Sequence, residues 1–136
     1  MSGPLKPVLD ILAALGELEW ARCVGGTDRP PLLAWRFKAP DKQLEQRIVA
    51  AVQSYSGCVD WSVTTNGRNW SIVPVVFDRY AAAFRVDVEA MQQYGQDFPA
   101  ETKAANDNAA RLAEHLEKEL ARAPVAGGPV RTGFKA

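Results

Sequence analysis

The run from Cys58 to Phe77 restricts what this chain can fold into more than any other, because turn chemistry and side-chain period agree along it. At its centre stands Asn66-Gly67, the dipeptide that most readily takes the two positive φ angles of a type I′ turn. A two-residue turn there predicts Thr65 opposite Arg68. Counting outward, it pairs Val63 with Trp70, Trp61 with Ile72 and Val59 with Pro74 on one face. Thr64 with Asn69, Ser62 with Ser71 and Asp60 with Val73 fall on the other. The first face is apolar and aromatic, and the second is polar near the turn, as a half-buried hairpin requires.

The rest of the chain arranges itself around this hairpin. Val8, Ile11, Leu12, Leu15 and Leu18 recur at three and four positions and predict a helix from Pro7 to Cys23, stopped by Gly25-Gly26. Leu33, Trp35 and Phe37 alternate with Ala34, Arg36 and Lys38, the period of a strand over 32–38. Ala39-Pro40-Asp41 opens a second helix with Leu44, Ile48, Val52 and Tyr55 on its buried stripe, ended by Gly57. Pro74 cannot donate to a ladder, so the second hairpin strand is expected at a sheet edge, or its pairing stops near that proline. Asp78 reads as an N-cap for a third helix through Ala81, Phe84, Val88 and Met91 to Tyr94-Gly95, although residues 84–89 also alternate as a strand would. Asp97 and Pro99 start a last helix with Glu101 in its first turn. Ala105, Ala109, Leu112, Leu116 and Leu120 form its seam, and Glu114 with Lys118 makes an i,i+4 pair. Asn106-Asp107-Asn108 interrupts it with poor helix formers, so the helix could begin there instead.

These elements predict an α+β class: a small mixed or antiparallel sheet of about three strands, the hairpin 58–77 plus strand 32–38, packed with four helices. If the first two strands ran parallel, their crossover would be right-handed. The order resembles part of the split βαβ plan of ferredoxin-like folds, without its closing strand unless 84–89 supply it. That likeness is topological and implies no function. At 136 residues, residues 1–124 suit one domain with a core of its own. Residues 125–136 carry two glycines in succession and little to pack, and read as a flexible tail.

Sixteen basic residues balance sixteen acidic ones, which removes the whole-surface field expected of a nucleic-acid or anionic-membrane binder. The first residues lack the basic segment and apolar run of a secretory signal, and no stretch approaches eighteen apolar residues, so a cytoplasmic protein without a membrane span is expected. Cys23 and Cys58 stand in no ligand-like spacing and read as buried free thiols. The sequence holds no phosphate loop, no Gly-x-Ser-x-Gly and no His-Glu-x-x-His, and it implies neither metal nor cofactor. His115, the one histidine, reads as flanking the leucine seam. Trp35, Trp61 and Trp70 belong to core faces, whereas Trp20 lies on a shoulder where it could anchor a partner.

Protein–protein binding is therefore the favoured function, in an adaptor, a chaperone-like subunit or an inhibitor of the kind carried by phages and mobile elements. Trp20, Arg68 and Asn69 at the hairpin tip, and the seam Leu112, Leu116 and Leu120, are the candidate partner-binding residues. The seam serves either the chain's own core or a homodimer through the last helix. The alternative is a small enzyme with a site on the polar hairpin face around Asp60 as general base. A second alternative is a nucleic-acid module using the hairpin tip with the basic tail, Arg131 and Lys135.

Overall fold

Gly16 decides the first departure from the sequence reading. The computed structural model describes residues 3–26, 28–75 and 88–121, and in it the first helix, α1, spans Lys6–Leu15. Gly16 then turns to extended backbone and the chain enters a strand, β1, over Leu18–Gly26. The helix expected to run to Cys23 therefore ends eight residues early, and Leu18 continues the helical spacing without being helical. A second strand, β2, covers Arg29–Phe37 and returns antiparallel to β1. Pairing with β2 supplies backbone partners for residues 18–26 that outweigh their modest helix propensity.

Helix α2 (Lys42–Gln53) begins where expected, with the Asp41 carboxylate accepting from the Leu44 N–H at 3.1 Å. The hairpin follows as β3 (Trp61–Thr65) and β4 (Trp70–Pro74). Its faces are as the sequence predicts, but its register is not. Thr65 pairs with Trp70, Val63 with Ile72 and Trp61 with Pro74. Each partner has moved by two residues, which preserves the face of every side chain where a shift of one would have inverted it. The cause lies in the turn. The Thr65 hydroxyl accepts from Gly67 N–H at 3.1 Å and donates to the Asn69 carbonyl at 2.8 Å, which also receives the Asn66 N–H. These bonds close a four-residue loop, Asn66 to Asn69, with Gly67 at φ 115°. Arg68 leaves the ladder as a result.

Among the described residues the sheet has four strands in the order β1-β2-β4-β3, all antiparallel, with no parallel crossover between them. The additional strand is Leu18–Gly26; of the segment 84–89, residues 84–87 lie outside the described set, and Val88 and Glu89 open helix α3 (Val88–Asp97). The proposed N-cap Asp78 and the tail 125–136 also lie outside it. β4 is an inner strand, which corrects its expected edge position. The alternative holds: β4 pairs with β2 only from Trp70 to Ile72, and Pro74 sits beyond that ladder. Helix α4 (Pro99–Ala121) passes through Asn106-Asp107-Asn108 without a break.

Two cores flank the sheet. The larger packs Leu33, Trp35, Phe37, Trp61 and Ile72 of the strands against α1, α2 and α4. Trp35 and Trp70 are cross-strand partners and stack with ring centroids 6.3 Å apart, while the Trp70 indole donates to Glu45 at 3.1 Å. The smaller core, on the opposite face, joins Leu32, Ala34 and Val73 to Tyr94 of α3, with Trp20, Val24 and Phe98 at its margin. Among the described residues no helix is long and apolar enough to cross a membrane.

Candidate functional site

The six residues singled out from sequence separate into two groups. Leu112, Leu116 and Leu120 are 0%, 0% and 4% exposed and lie within the larger core of their own chain, on the helical side of the sheet. Trp20, Arg68 and Asn69 come together at one end of the sheet.

A bulge builds this second place. Leu18 pairs with Phe37 and Trp20 with Arg36, so Glu19 is an extra residue on β1 with no partner opposite it. Bulges re-aim side chains and terminate edge pairing. Here the bulged Glu19 carboxylate lies 3.4 Å from the Arg36 guanidinium and 3.6 Å from that of Arg68. Arg68 can reach it because the four-residue loop freed it from the ladder. The same guanidinium donates to the carbonyls of Phe37 at 2.9 Å and Lys38 at 3.0 Å, which clamps the hairpin tip onto the end of β2. Lys38 and Glu17 form a neighbouring pair at 3.3 Å.

Trp20 stands opposite Arg36 on the face of the smaller core, half-buried, and Arg22, two residues along the same face, is exposed. Continuing the register from Trp35 and Trp70 sets Arg36 beside Asn69. Their Arg36 Nε and Asn69 Oδ1 atoms are buried and lack a hydrogen-bond partner among the described residues. Glu19 and Arg22 were not candidates from sequence, since their convergence with Arg36 depends on the bulge. The signal available was the alternation Trp20, Arg22, Val24 after Gly16.

A second concavity, about 770 Å³, lies between α4 and the segment after α2, lined by Tyr55, Cys58, Asn108, Arg111, His115 and Lys118 among others. Asn108, 4% exposed, organises its wall. Its Oδ1 accepts from the Tyr55 hydroxyl at 3.0 Å and the Trp61 indole at 3.1 Å, and its Nδ2 donates to Cys58 Sγ at 3.4 Å. His115 Nε2 lies 3.0 Å from the Ala51 carbonyl and 2.9 Å from Ser54 Oγ. A carbonyl only accepts, so Nε2 carries the proton and caps the end of α2. Arg47 reciprocates, donating to the Leu120 carbonyl of α4 at 2.8 Å. The imidazole thus locks two helices together, and Glu114 and Lys118 form no ion pair with each other among the described residues.

The polar hairpin face offers less. Asp60 is exposed, its backbone carbonyl receiving the Val75 N–H, and the Thr64 and Ser71 hydroxyls bond each other at 2.8 Å. Both thiols were expected to be buried. Cys23 is, and burial pushes its thiol up from the ordinary value, whereas Cys58 is exposed. Among the described residues no group of three His, Cys, Asp or Glu side chains could hold a metal ion. Comparison with known protein families, with curated proteins and with solved structures finds no match.

Proposed function

We propose that this chain works by binding another protein, through the end of the sheet where Glu19, Trp20, Arg22, Arg36, Arg68 and Asn69 meet. The observation that carries this reading is the double engagement of the bulged Glu19 with Arg36 and Arg68 beside a half-buried tryptophan. Tryptophan and arginine are the residue types in which binding energy concentrates at interfaces. Arginines already held by a carboxylate and by two carbonyls lose little side-chain entropy when a partner arrives, so less of the contact energy is consumed in ordering them. The bulge further prevents β1 from acting as a plain edge for strand addition, which leaves the side chains to specify the partner. The roles expected from the sequence, adaptor, chaperone-like subunit or mobile-element inhibitor in the cytoplasm, all fit such a surface. A homodimer through α4 does not, since its leucines are occupied at home.

The test is affinity capture from the native host with wild type, Trp20→Ala and Arg22→Ala, each checked for an unchanged circular dichroism spectrum. A protein retained by wild type and lost by both variants supports the assignment. Equal retention by all three overturns it.

A further inference from the structure

We infer that the surface taken up at the Trp20 end of the sheet is acidic: an extended segment of a partner protein carrying carboxylates on alternate residues. This inference rests on the binding reading above and adds the partner's chemistry. Among the described residues, the guanidinium groups of Arg36 and Arg68 share the Glu19 carboxylate beside Trp20, Lys38 and Glu17 offset each other next to them, and exposed Arg22 stands two residues from Trp20 on the same strand face. The chain as a whole is neutral, with sixteen charges of each sign, so the excess is a property of this place. Arg22 is exposed and the Arg36 and Arg68 side chains are 33% and 48% exposed, so each can still meet a ligand. A charge-assisted contact from arginine to carboxylate is among the stronger polar contacts available to a protein.

The spacing narrows the ligand. Arg36 stands directly across from Trp20, and Arg22 across from Ala34. The two arginines are thus diagonal neighbours on one face, roughly 7–8 Å apart at the backbone. Residues i and i+2 of an extended chain are about 6.8 Å apart and point the same way, so alternate carboxylates match this diagonal. Nucleic acid fits less well. Duplex binders commonly engage about 6–10 phosphates, whereas among the described residues three arginines lie at this end of the sheet. Trp20 also has its ring packed at the margin of the smaller core, not standing free for a base to stack on.

Fluorescence anisotropy with three labelled probes tests this: a short peptide with glutamate at every second position and threonine between, the same peptide with glutamine in place of glutamate, and a single-stranded oligothymidylate. The expected result is binding of the glutamate peptide only. Raising salt from about 50 to about 300 mM, which shortens the screening length from roughly 14 to 6 Å, should weaken it about tenfold. Arg22→Glu, an exposed position, should weaken it about as much again. Lys42→Glu, the same charge change at the start of α2, should leave it unaltered. Equal binding of the glutamine peptide, no response to Arg22→Glu, no binding of the glutamate peptide, or tighter binding of the oligothymidylate each overturns the acidic assignment. The host capture experiment separates the two failures: if Trp20→Ala and Arg22→Ala still lose the captured partner there, the surface binds protein and only its charge preference is wrong.

Discussion

Asn108→Leu removes one buried side chain that three others depend on, and its cost can be worked from the contacts. The leucine is close to asparagine in size, so cavity terms are small, and it gains a few tenths of a kcal/mol in helix propensity. Against this, the Trp61 indole N–H, on a residue 7% exposed, loses its acceptor. A stranded buried donor costs about 1–3 kcal/mol. The Tyr55 hydroxyl is only half-buried and can turn to water, so its lost bond adds about 0.5–1 kcal/mol. The contact to Cys58 Sγ is weak and the thiol is exposed, so it adds little. The expected net loss is about 2–3 kcal/mol, read as a fall of about 1–2 M in the urea midpoint at unchanged slope. A double-mutant cycle sharpens the claim. In a Trp61→Phe background the donor is gone, so Asn108→Leu should then cost only about 1 kcal/mol or less. The same cost in both backgrounds would show that Asn108 does not act through the indole, and the account of this helix position would fail.

Gly67 has φ 115° and open space where a Cβ would stand, so Gly67→Val should cost about 1–3 kcal/mol from backbone strain alone in urea unfolding. A neutral result would show that the loop takes another conformation. A Cβ at Gly95 of α3 would collide with the Asp28 carbonyl oxygen, so Gly95→Ala should lift α3 from β2. Hydrogen exchange should then accelerate in 88–97 and in the first residues of β2 while α2 and α4 stay protected. Cys58 should react with iodoacetamide within minutes in native protein and Cys23 only on unfolding, as mass spectrometry of the labelled peptides would report. Because burial raises the folded Cys23 thiol, the unfolded state alone ionises as pH passes the ordinary value of 9.0. Cys23 therefore subtracts stability above that pH and none below it, and Cys23→Ala should flatten the decline in stability as the pH rises past 9.0.

The parts of the fold that were legible in the sequence are those where one local signal has no rival. The hairpin faces follow from a period of two that holds on both sides of Asn66-Gly67, and they survive even though the loop is longer than a type I′ turn. α2 follows from its cap at Asp41 and α4 from the start signal at Pro99. β1 was hidden because Leu18 extends the spacing of Leu12 and Leu15, and because the bulge at Glu19 interrupts the alternation that would have marked a strand. The triplet Asn106-Asp107-Asn108 misled in the opposite direction. Its helix propensity is poor, yet Asn106 donates to the Arg29 carbonyl at 2.9 Å and Asn108 joins Tyr55, Trp61 and Cys58. Residues 77 and 47 positions away in sequence supply the reason for those side chains, and no local window contains them.

The candidate site divides along the same line. Trp20, Arg68 and Asn69 were visible from local position alone: a tryptophan off the apolar stripe, and an arginine with an asparagine at the hairpin tip. Glu19 and Arg22 were not, because their relation to Trp20 and Arg36 is made by register. One extra residue on β1 moves the Glu19 carboxylate next to Arg36, and a hairpin loop of four residues in place of two releases Arg68 to meet them. Both irregularities cost backbone pairing at a sheet end, and both deliver side chains to the same place. Had the ladder been regular, Glu19 would alternate to the helical face and Arg68 would pair across from Thr65, leaving Trp20 with Arg36 and Arg22 alone. Departures from regular geometry that converge on one cluster of tryptophan and arginine argue for a surface shaped for contact, more strongly than any of these residues does singly.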